Sequence, residues 1–462
     1  VKKTSKRITV EKIGGTTMSR MPEVFSSLFL GNGQREVERI LVVSAYGGIT
    51  NKLLEHKKSG EPGLYALFAA QADFFRKFEM LTHEMLRINS SLVSLGLDLE
   101  ASDTFVTNRL ESAKRFLRDL ASVLATGYVN RRELLQAARE LLASIGESHS
   151  AFNTYLILKA HGVDVTLADL SGWEDARELS IDERIRDSLC THPRGEIAVV
   201  TGYCKGTEGI MREFDRGYSE VTFSKIAVIV GASEAIIHKE FHLSSADPKL
   251  VGEKVATPLG FTNFDVADQL AEIGMEAIHP KASKPLEIGG IDIRVRNAFD
   301  LQHPGTLITK NYSNPESKVE IVAGTDKVSS ITIHDAQMVG TVGFDLRIME
   351  VFLHHQVSYL CKTTNANTIE MVVRDEDVTS SLIADLREKF QSVEVSLVAL
   401  VSAVGSNIAT PGILAKAATA LASSEINVLA ISQTSRQTSM QFVIDRAKLN
   451  SAIITLHTAL CV

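Results

Sequence analysis

The stretch Arg7-Ile8-Thr9-Val10-Glu11-Lys12-Ile13-Gly14-Gly15-Thr16-Thr17 decides how the rest of the chain is read. A short strand, residues 7–10, runs into a lysine, two glycines and two hydroxyls. Glycine lets backbone N–H groups approach an anion closely and lysine adds a point charge, so these residues suit a phosphate cradle. A strand followed by a plain Gly-Gly turn would carry the same letters. The Gly-x-x-x-x-Gly-Lys-Ser/Thr pattern of a P-loop occurs nowhere in the chain.

Outward from there, residues 39–45 read as a strand apolar on both faces. Tyr46-Gly47-Gly48-Ile49-Thr50-Asn51 then leads into a helix. Strand, glycine turn and helix in alternation predict an α/β protein with a mainly parallel sheet. Ligands of such sheets sit at the carboxyl ends of the strands, where both Gly-Gly stretches fall. Residues 64–145 change to helical spacing, with Ala66, Ala69, Phe74 and Phe78 on one face and Leu110, Ala113, Leu117 and Leu120 repeating it. This segment reads as a helical insertion over the sheet. Gly146-Glu147-Ser148 reads as the end of its last helix, with Glu147 a solvated cap residue and a second helix running on to 160. Strands return at 163–167 and 197–201. Asp215-Arg216-Gly217-Tyr218-Ser219-Glu220 then opens a helix over 221–230, where an arginine and a helix N-terminus suit either an anion or a salt-bridged cap.

The chain has 462 residues, too many for one core, and about two to four domains are expected. Its 44% hydrophobic and 23% charged residues are ordinary for a protein with a packed core. A formal charge of −7 argues against nucleic-acid binding while allowing a local cationic pocket. Cys190, Cys204, Cys361 and Cys461 form no Cys-x-x-Cys pair, so reduced thiols in a cytoplasmic protein are expected. No leader pattern and no apolar run of about 18 residues is found, and no membrane partner is expected. His238 and His242 would share a helix face at i,i+4. They follow a strand and lack a third ligand nearby, so no protein-held metal is expected.

After a polar linker at 311–318 the character changes, and a repeat appears. Thr341-Val342-Gly343-Phe344 matches Thr410-Pro411-Gly412-Ile413, and the same offset sets Val357 on Ile426 and Met371 on Met440. Each copy reads strand, glycine turn, helix, strand, strand, helix, the order of a small α+β sandwich. Two such copies resemble tandem ferredoxin-like ACT domains, which implies amino-acid binding at the turn before the first helix and pairing through sheets.

Together these residues resemble the aspartate kinases, along essentially the whole chain. The family's Lys-Phe-Gly-Gly-Thr-Ser stands here as Lys12 to Thr17, its Ser-Ala-x-x-Gly-x-Thr as Ser44 to Thr50, and its Gly-Glu as Gly146-Glu147. Its Arg-Gly-Gly-Ser-Asp becomes Arg216-Gly217-Tyr218-Ser219-Glu220. Its Asp-Pro-Arg, His-Pro, Asn-Thr-Phe and Gly-Thr-x-Ile become Asp247-Pro248-Lys249, His279-Pro280, Asn297-Ala298-Phe299 and Gly305 to Ile308. The resemblance implies a three-layer amino acid kinase domain over residues 1–310, with the insertion at 64–145, and ACT domains over 319–392 and 393–462. It implies ATP-dependent phosphorylation of the L-aspartate side chain, with Mg²⁺ held through ATP. Lys12, Gly14, Gly15 and Thr16 would meet the transferring phosphate and Glu220 would orient Lys12. Arg216, Glu147, Thr50 and Ser219 would bind aspartate. Amino-acid effectors such as lysine or threonine would meet Met338, Gly343, Phe344, Asn407, Gly412 and Ile413, in a homodimer joined by ACT sheets.

Three departures stand out. Glu220 replaces aspartate. The family's nucleotide segment falls on His238, Lys239, His242 and Ser244, ahead of Lys249. Glu276 replaces a lysine, so Lys239 is expected to supply the phosphate charge missing there. These changes, with the segment from Glu55 to Pro62, resemble the subgroup of aspartate kinases associated with ectoine synthesis. A kinase for a related acidic amino acid, or a catalytically weak amino-acid sensor, would share most of these features.

Overall fold

The computed structural model describes residues 7–31, 37–56, 59–190, 196–214, 217–275 and 277–462. The chain divides into two compact units, one of residues 1–242 and 279–305, the other of 243–278 and 306–462.

In the first unit six strands lie parallel in the order Val165–Ala168, Ile197–Thr201, Val37–Val43, Arg7–Ile13, Glu234–Lys239, Ile293–Asn297. The Arg7–Ile13 strand is central, with Lys12 paired to Val42 on one side and Ile237 on the other. Because side chains alternate along a strand, Glu11 and Lys12 point to opposite faces. The Glu11 face meets the Phe25–Phe29 segment, whose Leu28 and Phe29 carbonyls accept from Arg39. The Lys12 face meets the helix Tyr218–Val230. Helices therefore cover both faces, as the alternation of strand and helix predicts.

The insertion is helical as expected, but Gly146 does not end a helix. Arg131–Ala160 is one 30-residue helix running straight through Gly146 and Glu147. The physical reason is close approach: a Cβ at Gly146 would stand 2.7 Å from the Ala45 Cβ. Glycine is there to let the Ser44–Thr50 loop touch the helix, not to stop it. Nor do His238 and His242 share a helix face, since His238 belongs to the strand Glu234–Lys239.

The second unit carries a six-stranded antiparallel sheet in the order Tyr359–Thr364, Thr368–Arg374, Ile321–His334, Ser392–Val404, Ser439–Asp445, Val428–Ser432. Both halves of the repeat start their helices alike. Gly343 (φ 81°) precedes Phe344–His354 and Gly412 (φ 97°) precedes Ile413–Ser423, left-handed positions that favour glycine.

The linear boundaries expected at 310, 319 and 392 describe this unit incompletely. The two central strands, of 14 and 13 residues, pair along nearly their whole length and each serves two cores. Ile331 and Ile333 pack with Phe344, Ile348, Met371 and Val393, while Val322 packs with Ala399, Val401, Leu421, Met440 and Leu456. A strand twice the usual length spans two helix layers, so the modules are interleaved rather than strung in series. Residues from before the polar linker belong here too, because Ala246 joins the second core and the Ser245 carbonyl accepts from Val322 N–H.

Candidate active site

The cationic pole lies where the strands Arg7–Ile13 and Glu234–Lys239 of the first unit end. Lys12 Nζ stands 3.5 Å from Glu220 Oε1 and Lys239 Nζ stands 3.6 Å from the same oxygen. Glu220 Oε2 accepts from the His279 backbone N–H at 2.7 Å. Burial raises the Glu220 carboxyl, but Lys12, Lys239 and the His279 amide outweigh it and hold the group below its ordinary range. Glu220 is therefore an anion shared by two lysines at lengths longer than hydrogen bonds. Both cations can turn toward an incoming anion without leaving the carboxylate unpaired.

Beside Lys12, Gly14 leads into the short helix Gly15–Ser19 with no side-chain cap. A Cβ on Gly14 would come within 3.9 Å of Lys12 Nζ, and one on Gly15 would stand 2.7 Å from the Ala45 carbonyl oxygen. Gly15 thus lets the two glycine-bearing loops lie against each other. Thr16 is exposed, while Thr17 is buried and its Oγ1 has no partner.

The acceptor side is built on Glu147, a buried carboxylate at 2% exposure. Its Oε1 accepts from Ser219 Oγ at 2.7 Å, while Oε2 meets no donor in hydrogen-bonding geometry. Burial pushes its pKa up to about 8, against opposing pulls from Ser219, the Lys12 charge, Tyr218 and the Ala45 amide. An unsatisfied buried carboxylate oxygen is costly unless a cation or donor fills the gap. The solvated cap expected at 147 is overturned: Glu147 is buried in the middle of a helix. A Cβ on Gly202 would stand 2.9 Å from the Ser219 Cβ and 3.1 Å from Glu147 Oε2, so glycine there lets the strand end at Thr201 pack closely against Ser219 and Glu147. Thr50 is half-buried in the helix Ile49–Leu53, at the end of the loop that supplies Ala45.

Not every residue singled out from sequence joins this cluster. His238 is buried on the opposite face of the sheet, its Nε2 3.0 Å from Glu11 Oε2, and is withdrawn from the phosphate set. Arg216 and Glu276 lie outside the described residues. Ser244 and Lys249 belong to the second unit, where Ser244 is buried and bridges to Pro258 and the Lys249 N–H caps onto Asp247. The sequence reading missed the His279 amide and the Ala45 amide. A backbone group leaves no side-chain signal, and the only hint was the His-Pro pair that starts the helix Pro280–Gly289.

In the second unit the turn before Ile413–Ser423 borders a cavity of about 290 Å³ lined by Ile408 to Leu414 with Gln433, Gln437 and Met440. Asn407 Nδ2 donates to the Asn314 carbonyl, which anchors that turn. Met338 and Phe344 are instead buried in the other module's core. Among the described residues no helix is long and apolar enough to cross a membrane.

The amino acid kinase family model matches residues 7–297 and an ACT domain model matches residues 401–460. The chain is 44% identical over 461 residues to an aspartate kinase, Ask_Ect, of Stutzerimonas stutzeri, covering 98% of this chain and 97% of that protein. It is 25% identical to the chloroplastic aspartokinase 1 of Arabidopsis thaliana, over 97% of this chain and 79% of that one. The crystal structure of E. coli aspartokinase III in complex with aspartate and ADP has a similar fold, with a TM-score of 0.74 at 19% identity, over 98% of this chain and all (100%) of that one.

Proposed function

This chain belongs to the amino acid kinase family and carries an ACT domain, and we propose that it transfers the γ-phosphoryl group of ATP to the side-chain carboxylate of L-aspartate. The products are 4-phospho-L-aspartate and ADP. One observation carries the reading: two lysines share Glu220, beside a buried carboxylate whose charge reaches Lys12 and whose second oxygen lacks a donor. A nucleophile and a phosphate that are both anionic must meet, so cations at one end and an ammonium acceptor at the other are what the chemistry requires.

In this mechanism a carboxylate oxygen of aspartate forms a bond to the γ-phosphorus as the bond to the ADP oxygen breaks. The nucleophile is already ionised near neutrality, so no strong general base is needed. Lys12 and Lys239 turn from Glu220 to the developing phosphate charge, with Gly14 and Gly15 N–H groups beside them. Glu147 receives the aspartate ammonium, Thr50 adds a hydroxyl, and Arg216 takes the α-carboxylate. Lys239 thus serves the phosphate, as the loss of lysine at 276 suggests. Mg²⁺ would be carried by nucleotide oxygens. Glu220 is engaged by two lysines and an amide, and we assign it no metal.

The cavity beside Gly412 suits a small amino acid such as lysine or threonine as effector, and a homodimer through the antiparallel sheets is the assembly we assign. The 44% relative and the rewritten nucleotide segment support membership in the ectoine-associated subgroup, and the cytoplasm is the location we assign. The test is aspartate-dependent ADP release with hydroxylamine trapping of the acyl phosphate. A folded sample that shows no such turnover overturns the reading, and equal turnover with glutamate moves it to a kinase of broader acid specificity.

A further inference from the structure

A closed polar cluster lies inside the helical insertion, in a place where apolar packing would serve stability as well. Asn89 from Phe75–Leu92, Ser102 from Leu99–Thr126, and His149 and Asn153 from Arg131–Ala160 are all 0% exposed, and Tyr46 joins them from the Ser44–Thr50 loop. Asn153 Nδ2 donates to Tyr46 Oη (3.2 Å) and to Asn89 Oδ1 (2.8 Å). Asn153 Oδ1 accepts from Ser102 Oγ at 2.5 Å, and Asn89 Nδ2 donates to Asp103 Oδ1 at 2.8 Å.

His149 Nε2 lies 2.6 Å from Asn89 Oδ1 and 3.1 Å from Asn153 Nδ2, and among the described residues Nδ1 has no partner. Burial pushes the His149 pKa down to about 3, so the ring is neutral. The rings of Tyr46 and His149 meet edge to face at 5.3 Å. Tyr46 is thereby tied to the helix Arg131–Ala160, and through Asn153 and His149 to the other two helices.

Two further contacts fix the same loop to the same helix. Ser150 Oγ donates to the Ser44 carbonyl at 2.8 Å, and Gly146 is flush with Ala45. Glu147 lies between Gly146 and His149 in the chain. Ala45, whose amide pulls on Glu147, adjoins Tyr46. A buried polar network favours one arrangement of its parts, because other arrangements leave more of its polar groups unpaired.

We propose that Asn89, Asn153 and Tyr46 are positioning residues that hold the Ser44–Thr50 loop against the Glu147 helix in the geometry the acceptor amino acid requires. The insertion is then a strut for the acceptor pocket, distinct from the lysines that meet the phosphate. This rests on the reading of Glu147 and Thr50 as the aspartate side of the site.

The test uses the full chain, with Tyr46→Phe and Asn153→Ala, each assayed with aspartate and ATP varied separately. Hydrogen exchange of the 44–50 amides is followed in the same samples. Tyr46→Phe keeps the ring and the fold and should raise the aspartate KM about fivefold, and Asn153→Ala about tenfold or more, with the ATP KM unchanged. Exchange in 44–50 should quicken in both. An aspartate KM within twofold of wild type, or aspartate and ATP KM rising together, overturns the proposal. Unchanged exchange in Tyr46→Phe overturns it too, even where Asn153→Ala fails to fold. A wild-type chain without aspartate turnover would sink the substrate reading, while the exchange data would still decide whether the clasp exists.

Discussion

Glu11 and Lys12 are neighbours on one strand, and they face opposite sides of the sheet. Glu11 is closed off: Arg39 Nε and Nη2 grip its two oxygens at 2.6 and 2.8 Å, and His238 Nε2 adds a third contact. Arg39 in turn spends its remaining donors on the Leu28 and Phe29 carbonyls. Lys12 shares its carboxylate with Lys239 at lengths longer than hydrogen bonds, beside a Glu147 whose Oε2 meets no hydrogen-bond donor among the described residues. Charges satisfied on every side hold a fold together, and a charge held at longer range can be drawn to a ligand at lower cost. One residue of register separates the two kinds.

The comparison breaks most visibly at Lys12. Lys12→Ala should lower kcat by about 10³-fold while the melting temperature moves by only a few degrees, since Lys239 and the His279 amide still hold Glu220. Comparable losses of stability and kcat would erase the distinction between the faces. Glu11→Ala should do the reverse. Leaving Arg39 buried without its partner costs about 3–5 kcal/mol, read in denaturant melts, with turnover per folded molecule preserved. Burial would raise the Glu11 carboxyl, but Arg39 and His238 hold it far below its ordinary range. Its contribution is therefore present above the ordinary carboxylate pKa and is lost as pH falls beneath it. Stability of Glu11→Ala and wild type converging in strong acid would bear this out.

Glu147 sharpens the same contrast with the opposite sign. Its folded pKa is raised to about 8, so ionisation costs the fold progressively more as pH rises from its ordinary range to about 8. Glu147→Gln should melt higher than wild type at pH 8.5, with little difference near pH 5, and raise the aspartate KM about 10²-fold. In wild type the aspartate KM should fall as pH rises toward 8. A flat profile would mean that Glu147 does not bind the ammonium. The smallest effect is expected at Lys239, where alanine should cost about tenfold in kcat/KM for ATP and leave the aspartate KM alone. An intact ATP response would remove Lys239 from the phosphate site.

The alternation of strand and glycine turn was legible because period and turn chemistry are local, and so was the repeat carried by Gly343 and Gly412. The pole of the site was legible at Lys12 and Glu220 because charge beside glycine has few other uses. Glu147 was misread as a cap because a glycine before it resembles a stop, when that glycine serves a contact with Ala45 more than a hundred positions away in the chain. His238 was misplaced because its alternation with Lys239 sends it to the other face, which is evident only once the strand is known to continue to 239. The two interleaved cores were beyond a linear reading, since nothing local says that one strand will serve two helix layers.

Those two long central strands carry a consequence for how the second unit comes apart. Val322 and Val393 each lie in the core of the module that the other half of their strand does not serve. A cut at 392 would thus strip one wall from each core at once, and neither piece would hold a melting transition of its own. The pair should denature as a single cooperative block, and a change that loosens one module should be felt as lost protection in the other.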